Sequence, residues 1–341
     1  VSPASRAFLS ALGAWDGLDP NRVARVERME VYGDDARSRI VFSAYALGRP
    51  ALAYIVEHRA LQAALGAVLA GAPELAWRRT PPPADLAWSP QGITLAGEGG
   101  ERLEARLVVG ADGADSWVRR QAGLAAIEKP YGQQAVVAHF RCERPHQGTA
   151  FQWFRADGVL ALLPLPGEHV SLVWSTWDAH AAALLALDAP GLARRVEEAS
   201  RGVVGGLALI SPPAAFPLRL VKVKRLVAPR VALVGDAAHV VHPLAGQGVN
   251  LGFQDARVLA AVLRHRGPVG DCGDYYLLRR YERARREEVA LMQLATDGLQ
   301  RLFSARAWGI GWLRNTGLKL VDALAPVKGC LAQQALGESV E

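Results

Sequence analysis

The sequence predicts an α/β fold in which a parallel sheet is assembled from discontinuous segments, with an antiparallel-sheet region inserted between them and helices at the C-terminal end. Three observations carry this. Apolar strands ending in turns of Gly and Asp occur twice, at Ala105–Gly110 before Ala111-Asp112-Gly113, and at Val231–Val234 before Gly235-Asp236. The stretch between them alternates apolar and polar residues and is broken by Pro and Gly. From residue 248 onward the apolar spacing is helical. Ligands bind at the carboxyl ends of the strands in such sheets, so the two turns, about 120 residues apart in sequence, are expected at one edge of one sheet.

The elements follow in chain order. Ser2-Pro3-Ala4-Ser5 opens a helix that runs through Phe8, Leu9 and Leu12. Residues 53–70 read as a short strand or turn feeding a helix, with Leu61, Leu65 and Leu69 as its apolar stripe. Residues 74–106 carry short strands and turns, among them Ser89-Pro90-Gln91-Gly92. Ala105–Gly110 is expected to be a buried strand, and Ser116 caps a helix over 117–122. Residues 126–226 form strands such as 135–140 and 170–174, with one helix near Leu192–Ser200. A helix over 248–265 follows the second turn, then a long Arg- and Glu-rich helix from Tyr275 to Phe303, and a further helical segment over 306–336.

With 341 residues, half of them apolar, the chain can bury a sizeable core in two sub-domains. The net charge of +6 reflects either an arginine-favouring genome or attraction to phosphate groups or an anionic membrane face. Aromatic and basic residues do not interleave as a nucleic-acid surface would require, so no nucleic-acid partner is expected. Cys142, Cys272 and Cys330 are odd in number and far apart, which suggests a reducing, cytoplasmic compartment. No signal peptide is visible. The most apolar candidate span, Trp308–Ala325, carries Arg314, Lys319 and Asp322, so the protein is soluble or peripheral at the inner face of the cytoplasmic membrane.

Gly235-Asp236-Ala237-Ala238-His239, continued by His242-Pro243-Leu244-Ala245-Gly246-Gln247-Gly248-Val249-Asn250, is the most informative stretch. It puts a carboxylate at a strand's carboxyl end and free backbone N–H groups at a helix start, the two parts needed to hold a ribitol hydroxyl and an anionic or electron-rich ring. His239 and His242 lie three apart, but no third ligand is within sequence reach, so no metal is assigned.

This stretch resembles the group A FAD-dependent aromatic hydroxylases, and within them the ubiquinone-biosynthesis hydroxylases of the UbiH/UbiF type. Val109-Gly110-Ala111-Asp112-Gly113-Ala114-Asp115-Ser116 is similar to their second fingerprint, and Ile55-Val56-Glu57-His58-Arg59 to the segment whose arginine lies along the flavin diphosphate. Ala215-Phe216-Pro217-Leu218, Tyr281, Arg285 and Thr296-Asp297-Gly298-Leu299 also fit, so the likeness extends over essentially the whole chain. The family's first strand and Gly-x-Gly-x-x-Gly turn are not found in residues 1–60. The expectation is that the full gene product carries them, and that the chain without them binds FAD weakly and has little activity.

The resemblance implies a Rossmann-like FAD-binding domain from residues 1–25, 53–125 and 226–266. It further implies a substrate domain from 26–52 and 126–225, and a C-terminal helical region from 267–341. Asp236 is implied as the ribityl partner. Gly246, Gln247, Gly248, Val249 and Asn250 present backbone at the pyrimidine edge, and Arg59 offers either a phosphate fork or a helix-surface charge. Asp112 with Gly113 either orders the diphosphate region or caps the next helix. Pro243, whose missing N–H leaves the flavin face open to oxygen, and His242 are the positions implied nearest the chemistry. The implied reaction is hydroxylation of an aromatic ring, a polyprenylated phenol of ubiquinone biosynthesis, using NAD(P)H and O2 through a flavin C4a-hydroperoxide. A hydroxylase of a soluble aromatic, and a flavin-free scaffold subunit of a quinone-biosynthesis complex, stay open as alternatives. Phe151, Trp153, Phe154, Leu163 and Trp174 read as an apolar substrate wall or as core. Trp308 and Trp312, with Arg306 and Arg314, read as a membrane contact or as a buried dimer or domain contact.

Overall fold

The computed structural model describes residues 1–33, 39–78, 84–89, 91–97, 99–243 and 246–304, with side chains through 298. The expected helix over 306–336, its tryptophans and Cys330 lie outside the described residues. In chain order the first elements are α1 (Pro3–Ala11), β1 (Val23–Val26), β2 (Arg28–Tyr32), β3 (Arg39–Ser43), β4 (Ala53–Val56) and α2 (His58–Ala70). Next come β5 (Asp85–Trp88), β6 (Ile93–Ala96), β7 (Arg102–Ala105), β8 (Val108–Gly110) and α3 (Trp117–Gln121). The inserted region holds β9 (Ala126–Cys142), β10 (Thr149–Arg155), β11 (Gly158–Leu165), β12 (His169–Trp177), α4 (Asp178–Leu185), α5 (Ala189–Ala199), β13 (Leu207–Leu209) and β14 (Ala214–Val223). Last are β15 (Val227–Ala228), β16 (Val231–Leu233), β17 (His239–Val240), α6 (Gly248–Arg264) and α7 (Tyr275–Ser304).

The chain divides into two compact units, one from 1–72 and 130–218 with the chain from 298, the other from 73–129 and 219–297. In the first, Ser2 caps α1 by accepting from the Ser5 amide at 3.2 Å. β1 pairs antiparallel with β4. The main sheet runs β9-β12-β11-β10-β2-β3, antiparallel except for the parallel β10–β2 pair. Its strands alternate, so one face of β9, β11 and β12 buries Val136, Phe140, Leu160, Leu162, Leu172 and Trp174 under α4 and α5.

Several expectations for this unit are corrected. The stripe on α2 is Leu61 with Ala64, while Leu69 is exposed, because residues four apart drift by 40° per step and Leu69 has rotated off the buried face. α4 was missed: in Asp-Ala-His-Ala-Ala-Ala-Leu-Leu every residue after His180 is apolar, so no polar face marks its period. Of the two readings of Phe151, Trp153, Phe154 and Trp174, the structure agrees with the core one, since all four are buried. Tyr32 and Phe151 both stack on the Trp153 ring.

The second unit holds the three-stranded sheet β15-β16-β8 and the antiparallel sheet β5-β6-β7. Its core gathers Val108, Val118, Val231, Ala232, Leu233, Leu259, Leu278 and Tyr281. The run expected as one buried strand over 105–110 is instead the end of β7 and a short β8, whose Val109 side chain is exposed. β16 pairs parallel with β8. Among the described residues no helix is long and apolar enough to cross a membrane.

Candidate functional site

Leu233 faces Gly110 in the parallel register, and the Val234 amide donates to the Gly110 carbonyl at 2.9 Å. The Asp112 and Asp236 turns therefore leave the same edge of the β8–β16 pair. A side chain at Gly110 would place its Cβ 2.8 Å from Leu233 Cδ2 and 3.0 Å from Val118, so glycine is what lets α3 and β16 close on β8. Arg119, buried on α3, ties the turns together: it donates to the Ala237 carbonyl at 3.0 Å and to the Ala114 carbonyl at 2.8 Å.

Both Asp112 oxygens take protein donors, the Ser116 hydroxyl at 2.6 Å and the Val118 amide at 3.0 Å. Ser116 in turn accepts from the Arg119 amide at 2.9 Å. Of the two readings open for Asp112, the geometry supplies the capping one. Gly113, next to it, sits at φ +81°, where only glycine is unstrained.

In the second turn Gly235 adopts φ +61° and leads into the single 3₁₀ turn 235–237. Asp236 is exposed at its tip. Partial desolvation by the packed turn pushes its carboxyl above the ordinary value, opposed by nearby His239. The turn packs on α6 so closely that a Cβ at Gly252 would lie 3.3 Å from the Gly235 Cα. Behind it, Asp255 of α6 is fully buried and accepts from the Gly235 amide at 2.9 Å. His239 Nε2 lies 2.7 Å from the same oxygen, and Arg285 Nε of α7 donates to the other oxygen at 2.7 Å.

His242 is buried, and desolvation lowers its pKa to about 4, against a weaker pull upward from Asp297, so the ring is neutral near pH 7. The Pro243 carbonyl accepts from the Gly246 amide at 3.0 Å, and Gly246 sits at φ +60°. Leu244 and Ala245 lie outside the described residues. Gln247 precedes α6 without a side-chain cap, and Asn250 donates to its Oε1 at 3.0 Å. The first amides of α6 have no intrahelical acceptor. A Cβ added at Gly246 or Gly248 would meet none of the described residues within 4 Å, and Val249 is exposed. An exposed carboxylate on a turn packed against α6, and a start to that helix without a side-chain cap among the described residues, fit a polyol chain and an electron-rich ring edge. The residues present thus fit a flavin.

Arg59 is the second residue of α2 in the first unit, with its side chain exposed. The remaining expected residues lie in the second unit, and the turn and helix start bring Asp236, Pro243 and 246–250 onto one segment of chain. Asp255 and Arg119 were not singled out from the sequence. The signal for Asp255 is a carboxylate in the buried stripe Leu251-Asp255-Leu259; Arg119 carries no comparable local signal.

The FAD binding domain family matches residues 90–294. The chain is 34% identical over 340 residues to 3-demethoxyubiquinol 3-hydroxylase of Escherichia coli, covering 99% of this chain and 86% of that protein. It is 35% identical over 347 residues to ubiquinone hydroxylase UbiL of Rhodospirillum rubrum, covering 99% and 78%. Among solved structures it resembles Klebsiella pneumoniae HpxO complexed with FAD and uric acid, with a TM-score of 0.73, 19% identity, and coverage of 98% and 86%.

Proposed function

The chain belongs to the FAD binding domain family and to its ubiquinone-hydroxylase branch, and on that premise we propose that it is an FAD-dependent monooxygenase that hydroxylates the aromatic ring of a ubiquinone precursor. The observation that carries the reading is the shared edge of the β8–β16 pair, where the exposed Asp236 follows β16 on a turn packed against α6.

In this reading Asp236 accepts a hydrogen bond from the ribityl chain, and the first amides of α6, at Gly248, Val249 and Asn250, donate toward the pyrimidine edge. Pro243 has no N–H to offer and leaves its side of the ring free. Gly246 and Gln247 shape the approach of the backbone. Asp112 and Gly113 hold the neighbouring turn through the α3 cap. His242 is kept neutral by burial and so orients its surroundings rather than accepting a proton at physiological pH. Bound FAD supplies hydride acceptance from NAD(P)H and oxygen activation; the protein supplies placement and exclusion of water. The apolar tail of a prenylated phenol, and a peripheral position at a membrane where such lipids reside, are part of the same proposal.

The test uses the full gene product loaded with FAD, a short-chain prenylated phenol or quinol, and NADH or NADPH under labelled O2. One labelled oxygen in the product supports the reading. Flavin binding with no oxygen transferred to any phenol or quinol of the panel overturns it.

A further inference from the structure

We infer that Asp255 is a positioning residue for Asp236, acting through Gly235 and His239; this rests on the flavin reading of the Asp236 turn. The Asp236 carboxylate takes no hydrogen bond from any described protein group, although a flexible exposed side chain is a poor partner for a ligand hydroxyl unless its backbone is fixed. The backbone is fixed from behind. One Asp255 oxygen holds the Gly235 amide at 2.9 Å and His239 Nε2 at 2.7 Å, and these two residues bracket the turn that carries Asp236.

The other oxygen holds Arg285 Nε at 2.7 Å, and Arg285 also donates to Gln254 Oε1 at 3.1 Å and to the Leu251 carbonyl at 3.4 Å. The carboxylate therefore has a fixed rotamer and a balanced charge before any ligand arrives. An apolar residue at 255 would fill the same space. It would not grip both ends of a turn whose first residue holds a left-handed φ. The chemistry that Asp236 performs is thus oriented by a second carboxylate on α6, which lies behind the turn rather than against the ligand.

The experiment compares the full gene product with its His239→Leu and His239→Gln variants, which leave the Asp255–Arg285 pair intact. Gln can donate from a nitrogen near the Nε2 position, whereas Leu cannot. Two quantities are read: the Kd for FAD from flavin fluorescence, and hydrogen exchange of peptides spanning 232–243 without flavin. The expected result is that His239→Leu raises the Kd at least tenfold and speeds exchange within 234–242 only. His239→Gln restores both to within about threefold of the wild type.

Wild-type Kd and exchange in His239→Leu overturn the inference. So does faster exchange spread equally over β5 and β6, because that marks general loosening. Should the wild type fail to bind FAD, the flavin reading falls, and the exchange arm still decides whether His239 and Asp255 hold the turn.

Discussion

Arg285 and Asp255 meet at 2.7 Å with both side chains essentially excluded from solvent, which locks α7 to α6. The ion pair lies directly behind the backbone of the Asp236 turn. Breaking one half of such a pair leaves the other charge buried and alone. Arg285→Met is expected to destabilise the protein by about 3–5 kcal/mol, read as a lowered urea midpoint. The double change Arg285→Met with Asp255→Leu is expected to recover part of this loss, because no charge is then stranded.

Ser116 both caps α3 and donates to Asp112. Ser116→Ala should cost about 1 kcal/mol as a lost N-cap, measured by chemical denaturation. A change within a few tenths would show that Asp112 alone sustains the cap through the Val118 amide.

Asp236 is exposed and takes no hydrogen bond from a described residue, so Asp236→Ala is expected to leave the denaturation midpoint unchanged. A charge-assisted hydrogen bond contributes about 1.5–3 kcal/mol, so the Kd for FAD should rise roughly 10- to 100-fold. A titration with unaltered Kd would remove Asp236 from the site.

Gly110 sits where the chain has no room for a side chain. Gly110→Ala should cost about 1–3 kcal/mol by overpacking against Leu233 and Val118, seen as a lower Tm. The same variant should also weaken FAD binding, since it pushes apart the two strands whose ends carry both turns.

His242 has a folded pKa of about 4 against an ordinary 6.5, so the unfolded chain binds the extra proton first as pH falls. Its contribution is fully present above pH 6.5. Stability should then decline by up to about 1.4 kcal/mol per pH unit through the window down to about 4. His242→Gln should flatten that part of the stability profile. An unchanged slope would place the acid sensitivity elsewhere.

The Gly235-Asp236 turn, the α6 boundaries and the Ser116 cap were legible because each depends on residues within a few positions of one another. The helix over 275–304 was legible for the same reason. The α2 stripe and the run over 105–110 misled, since burial there depends on which neighbours arrive. Phe151 and Trp174 read as a substrate wall or, more readily, as core, and strand pairing with α4 and α5 packing places them in the core.

The sequence by itself determined the α/β class, the two Asp turns and the family, because local turn chemistry and apolar period are written in adjacent residues. The tertiary structure alone decided that Asp112 spends its charge on a cap while Asp236 stays open. It also decided that Asp255 reaches back across 20 positions to Gly235. Those outcomes depend on which donors come within about 3 Å of a carboxylate, and only the packed chain sets that distance.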